Sequence, residues 1–341
     1  MRRLVINDYG IFLGRKGDRI IVKKHGEKTV EVPAGNISQI LLASKGIAVS
    51  SAVLRLVLKY NVDLALVSGY GKPLGRLISW RGSTIQLKRN QYDAQSDWRG
   101  CFLAKQFVRA KILNQSNLLK SLAKNRKLTK PDLAKELFTL SEQILFIYRK
   151  MDALTQTSLD KLRSDIRSIE AEAANVYWQG IALVLKEIID FPGRKKKFDL
   201  PKDPVNICLN YGYGILASEI WLAIEYASLD PFAGFLHADS PRRPALVVDL
   251  IEEFRQPVVD RSILSIAIDS SKRIQSFIDG ERLSQEGRKA VIESVYRRLN
   301  DQITFQNRKL PIHTHILLQA RRIGDFLLRR ASTYDPFVEK W

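Results

Sequence analysis

The sequence predicts an α+β protein: a small, mostly β N-terminal domain over residues 1–83, followed by a larger all-α C-terminal domain over 84–341. Three observations predict it. Up to Trp80, short apolar runs alternate with glycine-bearing turns. Beyond about Ile85, glycine and β-branched residues thin out, and long stretches repeat their apolar positions at helical spacing. A length of 341 residues suggests two domains, and a 45% hydrophobic composition is enough for a proper core.

In the first domain, residues 4–6 and 11–13 read as strands either side of Tyr9-Gly10. Residues 19–24 alternate loosely, turn at His25-Gly26 and continue as 29–32. Residues 40–42 and 47–49 flank Lys45-Gly46, and Ser50-Ser51 cap a short helix over 52–60. Two further strands, 63–68 and 74–80, are joined by Gly69-Tyr70-Gly71-Lys72, which lacks phosphate-loop spacing and reads as a hairpin turn. In the second domain, helical patterns cover 98–120, 131–151 and 159–189. A basic linker near 191–204 contains Arg194-Lys195-Lys196-Lys197 between prolines. Helical patterns resume over 205–228, 244–269, 284–299 and 316–330.

Lys and Arg total 55 against 36 Asp and Glu, a formal charge of +19 with a pI near 9.9. A folded chain this basic points to a polyanionic partner, DNA or RNA first and an anionic membrane surface second. Lys45 and Arg55 interrupt the apolar run over 40–58, so no membrane-spanning segment is expected. Asp8 follows Met1-Arg2-Arg3 too closely for a signal-peptide core. Cys101 and Cys208 are too few for a disulfide framework or a zinc site and read as free thiols in a cytoplasmic setting.

Three segments carry candidate chemistry. In residues 168–178 (SIEAEAANVYW), Glu170 falls within the apolar stripe of Leu162, Ile166, Ile169, Ala173 and Tyr177, while Glu172 falls outside it. A carboxylate there is costly unless it is paired or holds a metal, and the plainer alternative is a local salt bridge. In residues 229–237 (LDPFAGFLH), His237 ends an apolar, glycine-containing turn, as a core histidine, a metal ligand or an acid/base group. In residues 246–256 (LVVDLIEEFRQ), Asp249, Glu252, Glu253 and Gln256 share one helix face. That face is either solvated or suited to a hard divalent cation. Together the segments supply a mixed N/O ligand set that suits Mn²⁺ or Mg²⁺.

The Glu170 segment resembles the E-G-x-A-A-x-x-Y stretch of the CRISPR-associated integrase family of spacer acquisition, the first of the Cas proteins, with Ala171 at a position that is often glycine. Residues 206–216 (NICLNYGYGIL) resemble that family's asparagine- and tyrosine-rich helix. Residues 229–237 resemble its L-D-P-x-x-G-F-x-H stretch, and 249–261 its D-L-x-E-x-F-R followed by V-D-R. Residues 334–337 (YDPF) are similar to a common tail. The resemblance implies that Glu170, His237 and Glu252 are metal-binding and catalytic, with Asp249 an acidic neighbour and accessory acid. It implies a homodimer working with a small second Cas protein of ferredoxin-like fold. It further implies a metal-dependent endonuclease and integrase, in which a spacer 3′-hydroxyl attacks an array phosphodiester.

Among the basic clusters, Arg242 and Arg243 stand between His237 and the acidic segment and are the preferred DNA phosphate contacts, with Arg109 and Lys127. His313 and His315 lack a nearby carboxylate and read as structural. A metal-dependent nuclease on branched DNA, and a non-catalytic DNA-binding scaffold, are the competing readings. They differ from integration in product joining and in metal dependence.

Overall fold

The computed structural model describes residues 2–25, 27–68, 73–77, 79, 85–155, 158–186, 188–194, 203–241, 243–269, 274–280 and 282–340. Two turns expected from the sequence lie wholly or partly outside these residues, at Gly26 and at 69–72. So do positions 195–202 of the basic linker, and Arg242.

The N-terminal part is two four-stranded sheets. β1 (Arg2–Ile6), β5 (Ile37–Leu42) and β7 (Asp63–Val67) run parallel, with β8 (Pro73–Leu77) antiparallel at the edge, in the order β1-β5-β7-β8. The second sheet has the order β4-β3-β2-β6, from β2 (Ile11–Lys16), β3 (Arg19–Lys24), β4 (Glu27–Pro33) and the short β6 (Ala48–Val49). Helix α1 (Ser51–Lys59) crosses from β6 to β7, and the Ser50 hydroxyl caps it by accepting the Val53 N–H. Strand alternation divides the residues between two cores. Ile6, Leu13, Ile20, Ile40, Leu42 and Leu64 fill the space between the sheets under α1. Leu41, Ala43, Ala65 and Val67 point the other way, into the helical part. A buried polar seam joins the parts. Asp63 pairs with Arg76 and accepts from Gln39 (2.8 Å), Arg76 donates to Ser218 O (3.0 Å), and Tyr296 donates to Gln39 (3.1 Å).

The helical part follows the expected order: α2 (Ile85–Asp93), α3 (Trp98–Arg126), α4 (Pro131–Tyr148), α5 (Leu159–Leu185), α6 (Pro204–Tyr226), α7 (Ala245–Leu250), α8 (Arg261–Asp269), α9 (Gln285–Asn300) and α10 (Ile312–Leu327). α3, α4 and α5 pack as neighbours, and α6 is the central core helix. α6 is also long and apolar enough to cross a membrane, contrary to the expectation that no segment is; most of it is packed inside the protein. Both cysteines are buried, and neither is in a disulfide among the described residues.

Two features depart from the sequence reading. The helix expected over 244–269 is broken. It stops at Leu250, tightens into a 3₁₀ turn (Ile251–Glu253), widens into a π turn (Arg255–Asp260) and resumes as α8. Pro257 accounts for the break, since it has no N–H to give the helix and its ring clashes with the carbonyl one turn back. The helical part also carries two small hairpins, β9 (Ile278–Asp279) with β10 (Arg282–Leu283), and β11 (Gln302–Phe305) with β12 (Arg308–Pro311). Gln306 and Asn307 turn the second with φ of 47° and 60°. Left-handed pairs of this kind usually contain glycine, so the turn gives little sequence signal.

Candidate active site

The site forms where α3, α5 and the 3₁₀ turn after α7 meet. Lys111 lies on the inward stripe of α3 with Ala104, Phe107, Val108, Gln115 and Leu118. Glu170 lies one turn beyond Ile166 on the half-buried edge of the α5 stripe, as its position in the apolar pattern predicts. Glu252 sits in the 3₁₀ turn with its side chain only 3% exposed. The Lys111 ammonium bridges the two carboxylates, bonding Glu170 Oε1 and approaching Glu252 Oε2 to 2.9 Å. Arg255 Nε comes within 3.1 Å of the same Glu252 oxygen. Glu252 Oε2 and Arg255 Nε are shut off from solvent, and among the described residues neither has a partner in hydrogen-bond geometry, so the two cations act on this oxygen chiefly through their charge. Burial pushes the Glu252 carboxyl up, but Arg255 and Lys111, with His237 adding, bring it below the usual range. Burial likewise works against the Lys111 ammonium, and Glu252 and Glu170 more than restore its charge.

His237 is held from behind. Asp249, on α7 and fully buried, accepts the N–H groups of Phe235 (2.6 Å), Leu236 (2.9 Å) and His237 (2.9 Å), and its Oδ1 is 2.8 Å from His237 Nδ1. Four contacts thus converge on one carboxylate, and with Nδ1 turned to Asp249 the Nε2 edge of the ring faces away from it. The loop can wrap the carboxylate this closely because residue 234 is glycine. A Cβ there would stand 2.6 Å from Ala245 Cβ and 2.9 Å from Asp249 Oδ2.

Behind Arg255 lies a second layer. Its guanidinium packs over the Tyr213 ring at 4.7 Å, and the Arg194 guanidinium is 5.5 Å from the same ring. The Tyr213 hydroxyl and the Tyr177 hydroxyl (2.7 Å) both donate to buried Asp260. Glu253 turns away from the site. It accepts from the Tyr334 hydroxyl, from Gln319 (3.0 Å) and from the Phe337 N–H (2.7 Å), and so anchors the C-terminal tail. Asn114 on α3 completes that anchor by donating to Glu253 O and Phe337 O and accepting from Glu339 N.

Glu170 and Glu252 thus meet at one ammonium, and His237 is near enough to act on Glu252 electrostatically. The acidic face proposed from spacing is not solvated: Asp249, Glu252, Glu253 and Gln256 are all buried. It is also not one face, because the 3₁₀ and π turns send its members to different tasks. Asp249 positions His237 and does not open to a substrate. Glu172 is exposed and pairs with Lys150. His313 and His315 bond backbone carbonyls of Leu299 and Ile303, in keeping with structural roles. Among the proposed phosphate contacts, Arg243 is half-buried, while Arg109 on α3 and Lys127 just beyond its end are exposed. Arg109 lies two residues from Lys111, roughly 200° around the helix, so it faces away from the carboxylates. A cleft of 1650 Å³ between β1, α6, α9 and α10 is lined by His313 but by none of Lys111, Glu170, His237, Glu252 and Arg255.

Lys111 and Arg255 were missed by sequence reasoning. A lysine on the inward stripe of a long helix was the available signal for the first, and an arginine three residues after Glu252 for the second. The two carboxylates and an imidazole are ligands that suit Mg²⁺ or Mn²⁺, and the buried Glu252 oxygen, without a hydrogen-bond donor among the described residues, fits a cation partner. Among the described residues no three such side chains lie close enough to hold an ion as they stand, and the Lys111 ammonium contacts both glutamates.

A strand-rich unit joined to a helical unit is a fold found among solved structures. The chain superposes on a casposase bound to its integration product with a TM-score of 0.82 at 24% identity, covering 98% of this chain and 93% of that one. A Cas1 protein from Thermotoga maritima gives 0.75 at 18% identity, with both chains fully covered. At the sequence level, the family model described as CRISPR associated protein Cas1 matches residues 4–297. The CRISPR-associated endonuclease Cas1 1 of Archaeoglobus fulgidus is 38% identical over 99% of this chain and 100% of its own length. The CRISPR-associated endonuclease Cas1 of Korarchaeum cryptofilum is 33% identical over 98% and 97%. The chain belongs to the CRISPR-associated Cas1 family.

Proposed function

We propose that this protein is a metal-dependent DNA endonuclease and integrase that inserts short DNA spacers into a CRISPR array. One observation carries the reading: Glu170 and Glu252, far apart in sequence, converge on one largely enclosed ammonium near a histidine whose Nδ1 is held by Asp249. Glu170, Glu252 and His237 Nε2 would hold Mg²⁺ or Mn²⁺. Bound there, the ion would neutralise charge on the scissile phosphate. Asp249 fixes the His237 ring and its tautomer. Arg255, stacked on Tyr213, directs positive charge at the same place. In the proposed reaction a spacer 3′-hydroxyl oxygen forms a bond to an array phosphorus, and the bond from that phosphorus to the array 3′ oxygen breaks. The attacking hydroxyl loses its proton and the leaving oxygen gains one. Such a step needs positioning and charge neutralisation more than covalent help from the protein.

Supporting the reading are the relatives named CRISPR-associated endonucleases and the neighbour bound to its integration product. A chain of a Cas6-RT-Cas1–Cas2 complex has the same fold over this whole chain and 36% of its own length, with a TM-score of 0.77 at 21% identity. On that basis we place a small second Cas protein among the partners. We also propose a homodimer in contact through the N-terminal β part, since β8, β4 and the other outer strands offer edges of the kind proteins cover. DNA is the partner of the +19 charge. The test is a gel assay of spacer joining to supercoiled DNA. Joining should require Mn²⁺ or Mg²⁺, vanish in chelator and vanish in Glu170→Ala. Cleavage of branched DNA without joining would favour the repair-nuclease reading, and metal-independent binding without any cleavage would favour the scaffold.

A further inference from the structure

We infer that Lys111 is a resident counter-ion of the Glu170–Glu252 pair, one that holds the two carboxylates together before a divalent ion arrives and must be displaced for that ion to enter. The inference rests on the metal-dependent reading above and goes beyond it by assigning a role on the approach to the site. Its basis is geometric. The ammonium bonds Glu170 Oε1 and lies 2.9 Å from Glu252 Oε2, so it stands where an ion shared by both would stand. It is largely enclosed, with the side chain 13% exposed, and comes from the inward stripe of α3. Among the described residues its ion-pair partners are these two carboxylates.

Charge counting explains why such a residue is needed. Two carboxylates brought together in a poorly solvated pocket repel each other strongly. Lys111 and Arg255 bring the group of four to neutrality with no divalent ion present. The protein can therefore fold with its ligands already gathered. A divalent ion entering between the glutamates neutralises them itself, and Lys111 no longer has anionic partners to itself. The long, flexible stem of lysine lets the ammonium move aside while staying protonated, which a planar arginine fork would do less readily. Freed from the carboxylates and still at the mouth of the site, its charge is directed at whatever anion occupies the open positions. A phosphodiester oxygen is such an anion.

The competition has a measurable form. A site occupied by its own lysine is not competent to take an ion, so the apparent dissociation constant is the intrinsic one divided by the competent fraction. If the bridged form outweighs the open form by about ten to one, removing the lysine tightens ion binding by about tenfold. The experiment is titration of the full chain with Mn²⁺ alone, read by electron paramagnetic resonance, for the wild type, Lys111→Met and Lys111→Gln. Melting temperatures are taken in chelator and in saturating Mn²⁺ as a second measurement. Both variants are expected to bind Mn²⁺ about tenfold more tightly. They should melt lower than the wild type in chelator and gain more from Mn²⁺ than the wild type gains. Equal or weaker Mn²⁺ binding by folded variants, with the wild type binding normally, would overturn the role of Lys111 and leave the metal-dependent reading standing. A variant too unstable to titrate in chelator but restored by Mn²⁺ would support it, while one that Mn²⁺ does not restore would count against it. If the wild type itself binds no Mn²⁺, both readings fall.

Discussion

Asp249→Asn changes one atom of a group that accepts four hydrogen bonds, and the structure sets what that costs. Oδ2 takes the N–H groups of Phe235 and Leu236, and Oδ1 takes the N–H and the Nδ1 proton of His237. An asparagine oxygen can serve only one of these pairs. If it keeps Phe235 and Leu236, its NH₂ faces two donors of His237. The ring then relieves one clash by moving its proton to Nε2, which removes the proposed metal-binding lone pair. If the amide flips, two buried backbone N–H groups lose their acceptor. Either way two charge-assisted hydrogen bonds are lost in a fully buried place. At ~1.5–3 kcal/mol each, the loss is roughly 3–6 kcal/mol, less whatever the removed buried charge returns. Mn²⁺ affinity should fall about 10–100-fold, the usual effect of losing the group that orients a histidine ligand. Denaturant unfolding of the metal-free protein measures the first quantity, and Mn²⁺ titration the second. A folded Asp249→Asn protein within ~1 kcal/mol of the wild type, or one with unchanged Mn²⁺ affinity, would refute the assignment of Asp249 as the group that orients His237.

Other outcomes follow from the same geometry. Gly234→Ala should destabilise the protein and weaken Mn²⁺ binding together, since its Cβ would press on Ala245 and Asp249 Oδ2; thermal melting alongside Mn²⁺ titration checks it. Glu170→Ala should abolish joining while duplex affinity changes less than about threefold, because phosphate contacts and not the carboxylate supply that affinity; filter binding beside the gel assay separates the two. Tyr334→Phe should cost about 1.5–3 kcal/mol by leaving an oxygen of buried Glu253 without its donor, a loss readable in denaturant unfolding. DNA affinity should fall with salt at a log–log slope of about −0.9 for each duplex phosphate neutralised, and a flat dependence would remove the argument from net charge.

The sequence by itself determined much of this protein. Strand-length apolar runs before Trp80 and helix-length stripes after Ile85 foretold the α+β architecture, because periodicity is a local property set by side-chain direction. Glu170 was legible for the same reason: a carboxylate inside an apolar stripe stands out wherever it folds. His237 and Glu252 were visible as residue types. Their tasks were not, and neither was the difference between Asp249 and Glu253, which share the helical spacing but have opposite roles. That difference arises where Pro257 interrupts the helix and the 3₁₀ and π turns rotate successive side chains apart. Lys111 was legible only as a basic residue on a long helix. Its meeting with Glu170 and Glu252 depends on how α3 packs on α5 and on the turn after α7, and no spacing along one segment encodes a contact across three. Tertiary structure decided those meetings because burial, which makes a charge seek its partner, exists only once the segments are packed.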